Sequence, residues 1–172
     1  MILGLTLGWP QLIVLLVAAQ RLVELLWARH NTRNLLAAGG REIGAGHYPL
    51  FVLLHGAWLV AILALVPPTA PVDPWLIAIF VVLQLARVWI VLSLGRFWTT
   101  RIITVPGQPL IRRGPYRFSR HPNYLVVCGE IAALPLAFGA WWIALGFSLA
   151  NALLLWYRIR IEERAIAERR GA

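Results

Sequence analysis

Apolar residues gather into five long runs along this chain, at roughly residues 3–27, 49–66, 75–94, 122–138 and 141–157. A helix needs about 20 residues to cross a hydrocarbon core of about 30 Å. The first and third runs meet that length easily, and the second lies near its lower limit. The fourth and fifth, about 17 residues each, meet at Ala137-Phe138-Gly139-Ala140-Trp141 and predict a tight helical hairpin. Pro67-Pro68-Thr69-Ala70-Pro71 predicts a stiff loop between the second and third runs. The first run lacks a basic leading segment and a convincing cleavage site, so it reads as a retained helix and not a signal peptide. The pattern predicts an all-α protein, an integral membrane bundle of five transmembrane helices. No internal repeat and no separate soluble segment stands out. Residues 1–172 read as one membrane domain, with three helices in 1–94. Residues 95–172 then hold a Pro-, Gly- and Arg-rich loop, the hairpin and a C-terminal Arg/Glu segment.

Composition agrees with this picture and adds a direction. Hydrophobic residues make up 60% of the chain and charged ones 13%, against about 45–50% and about 25% in soluble domains. A mean hydropathy of +0.72 excludes both a water-soluble fold and disorder. Yet the formal charge is +9, and all sixteen basic residues are Arg. Fourteen of the sixteen lie in three places: Arg29, Arg33 and Arg41; Arg96, Arg101, Arg112, Arg113, Arg117 and Arg120; and Arg158, Arg160, Arg164, Arg169 and Arg170. The N-terminus, the Pro67–Pro74 loop and the 137–141 turn hold none. The positive-inside rule then predicts the N-terminus outside and the C-terminus in the cytoplasm, an alternation that needs an odd number of helices. The expected location is a bacterial inner membrane with any active site facing the cytoplasm. Arg residues interleaved with membrane spans argue against nucleic acid as a partner. The absence of Lys reads mainly as genomic base composition, and secondarily as a preference for Arg forks around anions. The single Cys128 excludes an internal disulfide and a cysteine metal cage, and no metal is expected.

Polar residues interrupt the apolar runs at Gln20, Arg21 and Glu24, at His55, at Gln84 and Arg87, and at Glu130. Ionisable groups within a span are costly and face a partner or a cavity. Arg21 and Glu24, three apart, share a helix face and can pair. The set falls at similar depth on the Arg-rich side, predicting a polar pocket open to the cytoplasm.

Two segments carry candidate chemistry. Arg113-Gly114-Pro115-Tyr116-Arg117-Phe118-Ser119-Arg120-His121-Pro122-Asn123-Tyr124 reads as a turn followed by a helix start, with Pro122 suited to the first turn. A helix N-terminus offers free N–H groups to an anion. Tyr and Phe rings can pack a planar ligand, and His121 can donate or accept a hydrogen bond. Arg158-Ile159-Arg160-Ile161-Glu162-Glu163 continues the fifth helix out of the membrane. Arg158 and Glu162, four apart, share a face, and a carboxylate there can bind ligand hydroxyls or an amine. Read without a ligand, the first segment is an interfacial belt anchoring a helix and the second a solvated charge run.

Together the GPY…RHPNY block and the later R-x-x-x-EE resemble the isoprenylcysteine carboxyl methyltransferase family of membrane enzymes, with phospholipid N-methyltransferases as relatives. Arg33-Asn34, Glu42, Gly46-His47-Tyr48-Pro49 and His55 resemble the small bacterial branch of that family. The resemblance implies S-adenosylmethionine as methyl donor. By position, Gln108, Pro109, Leu110, Ile111, Tyr116, His121, Pro122, Asn123, Tyr124 and Glu162 are the implied cofactor-binding residues. Arg158 is implied to face the acceptor at the reacting centre. The eukaryotic enzymes are longer and carry His where Gln108 stands. The implied acceptor is a lipophilic or lipidated molecule reached through membrane lipid, either isoprenylcysteine carboxylate-like or a phenolic or pyrone polyketide lipid. A carboxylate needs no base, whereas a phenol or enol benefits from one, and His55 and Glu130 are the candidates. Two other readings compete: an NADPH-dependent sterol-type reductase, in which Glu162-Glu163 has no role, and a non-enzymatic transporter or scaffold, which leaves the RHPNY block idle.

Overall fold

The computed structural model describes residues 7–108 and 111–171. Five helices carry the chain: α1 (Trp9–Ala37), α2 (Tyr48–Leu65), α3 (Pro74–Leu94), α4 (Pro122–Ala137) and α5 (Trp141–Gly171). Proline stands in the first turn of α1, α2, α3 and α4, where its missing N–H costs nothing and its fixed φ suits a helix. Asp73 caps α3, its carboxylate accepting from the backbone N–H of Trp75 (2.8 Å) and Leu76 (3.1 Å). The α4–α5 hairpin turns at Gly139, whose φ of +72° only glycine adopts freely. Asp73 N–H donates to the Ala137 carbonyl (2.8 Å), and Gln11 Nε2 to the Val66 carbonyl (2.8 Å). These bonds tie the helix ends together at the Arg-poor side of the molecule.

Four helices are long and apolar enough to cross a membrane; α4, with 16 residues, is shorter. Their outward surfaces are apolar: Leu16 is 72% exposed and Leu153 70%, as lipid-facing residues must be. Exposed Trp9, Trp75 and Trp141 mark one end of the bundle, and exposed Trp89 and Trp156 lie toward the other. Such aromatic belts sit at membrane–water boundaries.

Two departures from the sequence expectation stand out. The first apolar run ends near Trp27, but α1 continues to Ala37. Its polar extension is used: Asn31 Nδ2 donates to the carbonyls of Gly95 (3.0 Å) and Trp98 (2.9 Å), joining α1 to the end of α3. The fold is also not wholly α. Two three-residue strands, β1 (Arg41–Ile43) and β2 (Ile102–Thr104), pair antiparallel, with Glu42 opposite Ile103. Arg101 Nη1 donates to both oxygens of Glu42 (2.9 and 2.8 Å) and clasps this ribbon.

The interior is built in tiers. At the Arg-poor end, Val14, Trp58, Ile62, Phe80, Ile131, Leu134 and Ile143 from all five helices form an apolar core. Below it lies a charged tier. Glu130 accepts from Arg21 (2.8 Å), Gln84 (2.9 Å) and Arg87 (3.2 Å). Glu24 accepts from Gln20 (3.1 Å), Arg21 (3.0 Å) and Arg87 (2.7 Å). Helix α1 packs along α2, but its link to α3 and α4 is carried by these long side chains. A second apolar cluster, Ala28, Ile90, Val91, Trp98 and Val126, separates the charges from the Arg-rich end.

Candidate functional site

At that end the chain leaves α3, passes through β2, and returns through a 3₁₀ turn at Gly114–Arg117. Gly114 has φ +57°, and a Cβ there would lie 2.1 Å from Ser93 Oγ, so only glycine lets the turn press against α3. Arg113 Nε locks the contact by donating to the Ser93 carbonyl (2.7 Å). Pro115 is buried, and its carbonyl accepts from the N–H groups of Phe118 (3.1 Å) and Ser119 (3.2 Å). Ser119 Oγ accepts from the N–H of His121 (3.2 Å), delivering the chain into α4.

The first turn of α4 then meets α5. His121 stacks on Tyr124, with ring centroids 5.1 Å apart and planes within 8°. Arg158 Nε donates to the Tyr124 hydroxyl (2.8 Å), and that hydroxyl donates to Glu162 Oε2 (2.5 Å). His121 Nδ1 lies 3.7 Å from the same carboxylate oxygen. A tyrosine thus links an arginine and a glutamate one helical turn apart. Arg158 is 9% exposed, and its guanidinium lies near the rings of Phe51 (5.2 Å) and Tyr124 (5.7 Å). Neither terminal nitrogen has a hydrogen-bond partner among the described residues.

His121, Tyr124, Arg158 and Glu162 line a cleft of about 870 Å³, within the ~300–1,000 Å³ range of small-molecule sites. Of the residues singled out from sequence, Gln108, Ile111, Tyr116, His121, Asn123, Tyr124, Arg158 and Glu162 are on its wall. Burial, and secondarily the Glu162 carboxylate, pushes the Tyr116 phenol up, so it stays neutral and can donate. Pro122 is buried in the first turn of α4 and shapes the site without lining it. Pro109 and Leu110 lie outside the described residues.

His55 and Glu130 are not on the cleft wall. His55 Nδ1 donates to the Phe51 carbonyl one turn back (2.8 Å), and Glu130, 3% exposed, is held by two arginines. At that depth opposite charges on three helices pair with one another in one network. The sequence reading also missed part of the wall: Leu35, Trp98, Arg101 and Ile102. A legible signal existed only for Arg101, a lone positive charge before a short β-branched run. Its guanidinium is pinned by Glu42 and by the Tyr48 ring at 4.4 Å.

Residues 76–168, from α3 through the cleft-forming part of α5, match the sequence model of the isoprenylcysteine carboxyl methyltransferase (ICMT) family. An uncharacterized protein, YpbQ of Bacillus subtilis (strain 168), is 37% identical over 161 residues, which cover 91% of this chain and 96% of that protein. No solved structure matches the chain.

Proposed function

The chain belongs to the isoprenylcysteine carboxyl methyltransferase family, and from that premise and the cleft's geometry we propose that it is an S-adenosylmethionine-dependent O-methyltransferase of the membrane. S-adenosylmethionine supplies, when bound, an already activated sulfonium methyl. The cleft fits such a cofactor in chemistry as well as size. His121 Nε2 and Asn123 Oδ1 are buried on its wall with no hydrogen-bond partner among the described residues, a costly condition that a polar ligand relieves. Gln108, Ile111, Tyr116, His121, Asn123, Tyr124 and Glu162 hold the cofactor, and the Glu162 carboxylate takes its hydroxyls or its amine.

The observation that carries the acceptor half is Arg158. Arg158 is a buried residue whose terminal nitrogens have no hydrogen-bond partner among the described residues, a fork open to an anionic oxygen. Tyr124 fixes its Nε, Phe51 and Tyr124 pack beside it, and the free edge orients the acceptor for in-line transfer. The protein's share of catalysis is alignment and exclusion of water. With His55 and Glu130 off the wall, the geometry favours an acceptor that arrives already ionised, as a carboxylate does, over a phenol that must lose its proton. The acceptor's apolar part reaches the site from the bilayer, and the cofactor enters from the cytoplasm at the Arg-rich end, in a bacterial inner membrane. The charged tier is then structural.

Calorimetry tests the cofactor assignment. S-adenosylhomocysteine should bind the purified protein and NADPH should not. Glu162→Ala should weaken that binding at least tenfold while the protein remains folded in detergent; unchanged affinity would remove Glu162 from the site. Incubation with methyl-labelled S-adenosylmethionine and a host lipid extract identifies the acceptor as the lipid that gains label. A label that is stable to mild alkali would exclude a methyl ester.

A further inference from the structure

Between Asp73 and Glu130 the chain carries no acidic residue, yet the segment joining α3 to α4 carries six arginines. Arg101 is paired with Glu42, and Arg120 stands 3.9 Å from Glu163. Arg96, Arg112, Arg113 and Arg117 are exposed and form no ion pair among the described residues. At the end of the 3₁₀ turn stands Phe118, 76% exposed. The Arg117 guanidinium lies 5.2 Å from its ring centroid, so charge and apolar surface are presented together.

The position of the turn indicates the partner. Leu85, Trp89 and Leu92 are exposed and stand four and three residues apart, so they share one face of α3, and that face meets lipid. Trp89 belongs to the aromatic belt of the Arg-rich end, which marks the membrane–water boundary. The turn rests against this face. A Cβ on Gly114 would lie 2.1 Å from Ser93 Oγ and 3.4 Å from Trp89 Nε1. Arg113 holds it there through the Ser93 carbonyl (2.7 Å). The turn therefore stands at headgroup depth beside α3, with arginines and one bare phenyl ring outward.

This combination discriminates between partners. A free anion would leave the ring in water, and a purely apolar surface would strand the arginines. A layer of phosphates above hydrocarbon satisfies both. Guanidinium forks match phosphate oxygens, a negative leaflet attracts basic juxtamembrane segments, and an aromatic ring settles at the headgroup–acyl boundary. We propose that the Gly114–Phe118 turn docks on anionic phospholipid headgroups. Phe118 enters the boundary, and Arg112, Arg113 and Arg117 take lipid phosphates. The same turn forms part of the cleft wall, so docking seats that wall on the membrane surface. The inference stands whether or not the cleft binds S-adenosylmethionine.

The test places a nitroxide label at Phe118→Cys in a Cys128→Ser background. The protein is held in nanodiscs of phosphatidylcholine alone, or of phosphatidylcholine with about one-third phosphatidylglycerol. Collision with oxygen reports hydrocarbon, and collision with a water-soluble nickel chelate reports water. In the anionic disc the label should favour oxygen, and in the neutral disc the nickel chelate should reach it several-fold more readily. A label that favours nickel in both discs would overturn the proposal. Arg112→Gln, Arg113→Gln and Arg117→Gln together should erase the difference between discs; a difference that persists would overturn the role of the arginines. Polyglutamate added to the neutral disc should not shield the label. Shielding by that peptide and not by anionic lipid would overturn the proposal in favour of an acidic protein. If the labelled variant fails to fold, the wild type decides. Stripped to its last bound lipids in a mass spectrometer, it should retain phosphatidylglycerol over phosphatidylcholine, and equal retention would overturn the proposal.

Discussion

Arg158 shows how much one side chain's surroundings determine. Its Nε is committed to Tyr124, and its terminal nitrogens have no hydrogen-bond partner among the described residues. Lysine keeps the charge but loses the planar fork and the Tyr124 bond together. Arg158→Lys should therefore lower kcat by at least a hundredfold while S-adenosylhomocysteine affinity changes less than threefold. Single-turnover rates beside calorimetry separate the two; an equal fall in both would move Arg158 into the cofactor site. At this scale the sequence was informative where chemistry is local. Arg158 and Glu162 share a helix face because they stand four apart, and His121 and Tyr124 stack across one turn. It was silent on Trp98, because an isolated tryptophan in a loop has no periodicity to place it. It also grouped His55 and Glu130 with the cleft residues, and neither is on the cleft wall. Depth along a helix is readable from spacing, but rotation about the helix axis depends on packing partners.

Among the elements, the charged tier and the 3₁₀ turn do different work. Glu130→Gln leaves Arg21 and Arg87 facing one carboxylate inside the bundle. An uncompensated buried charge of this kind costs about 3–5 kcal/mol, and unfolding in detergent should report a loss of that order. Adding Arg21→Met to Glu130→Gln restores neutrality, so the double variant should be less destabilised than the sum of the single changes. Gly114→Ala should act locally instead. The added methyl meets Ser93 at a positive φ, so the turn should lift from α3. S-adenosylhomocysteine binding should fall at least tenfold with little change in the unfolding midpoint; a matching loss of stability would mean the turn is part of the bundle's core. The five helices were legible because runs of apolar residues cannot stay in water. The β1–β2 ribbon was not, since three-residue strands are too short for an alternating pattern to register. The ten-residue extension of α1 was hidden for a related reason: its stabilising contacts, from Asn31 to the turn after α3, join residues more than sixty positions apart.

For the whole molecule, the tiers divide the labour: an apolar plug, a neutral lattice of charges, then the cleft among the arginines. A reporter fused after Ala172 should read out cytoplasm, and one fused in the Pro67–Pro74 loop the opposite side; the reverse pattern would place the cleft away from its cofactor supply. The lattice has a further consequence. A voltage across the membrane does work of about 2.3 kcal/mol per 100 mV on each elementary charge that moves through it. Here Arg21, Arg87, Glu24 and Glu130 sum to zero and lie within hydrogen-bonding distance of one another. The field pulls the two arginines one way and the two glutamates equally the other, leaving almost no net force on the bonded cluster as a whole. The bundle should hold the same shape in an energised membrane and in a collapsed one, so turnover follows the supply of donor and acceptor and not the cell's electrical state.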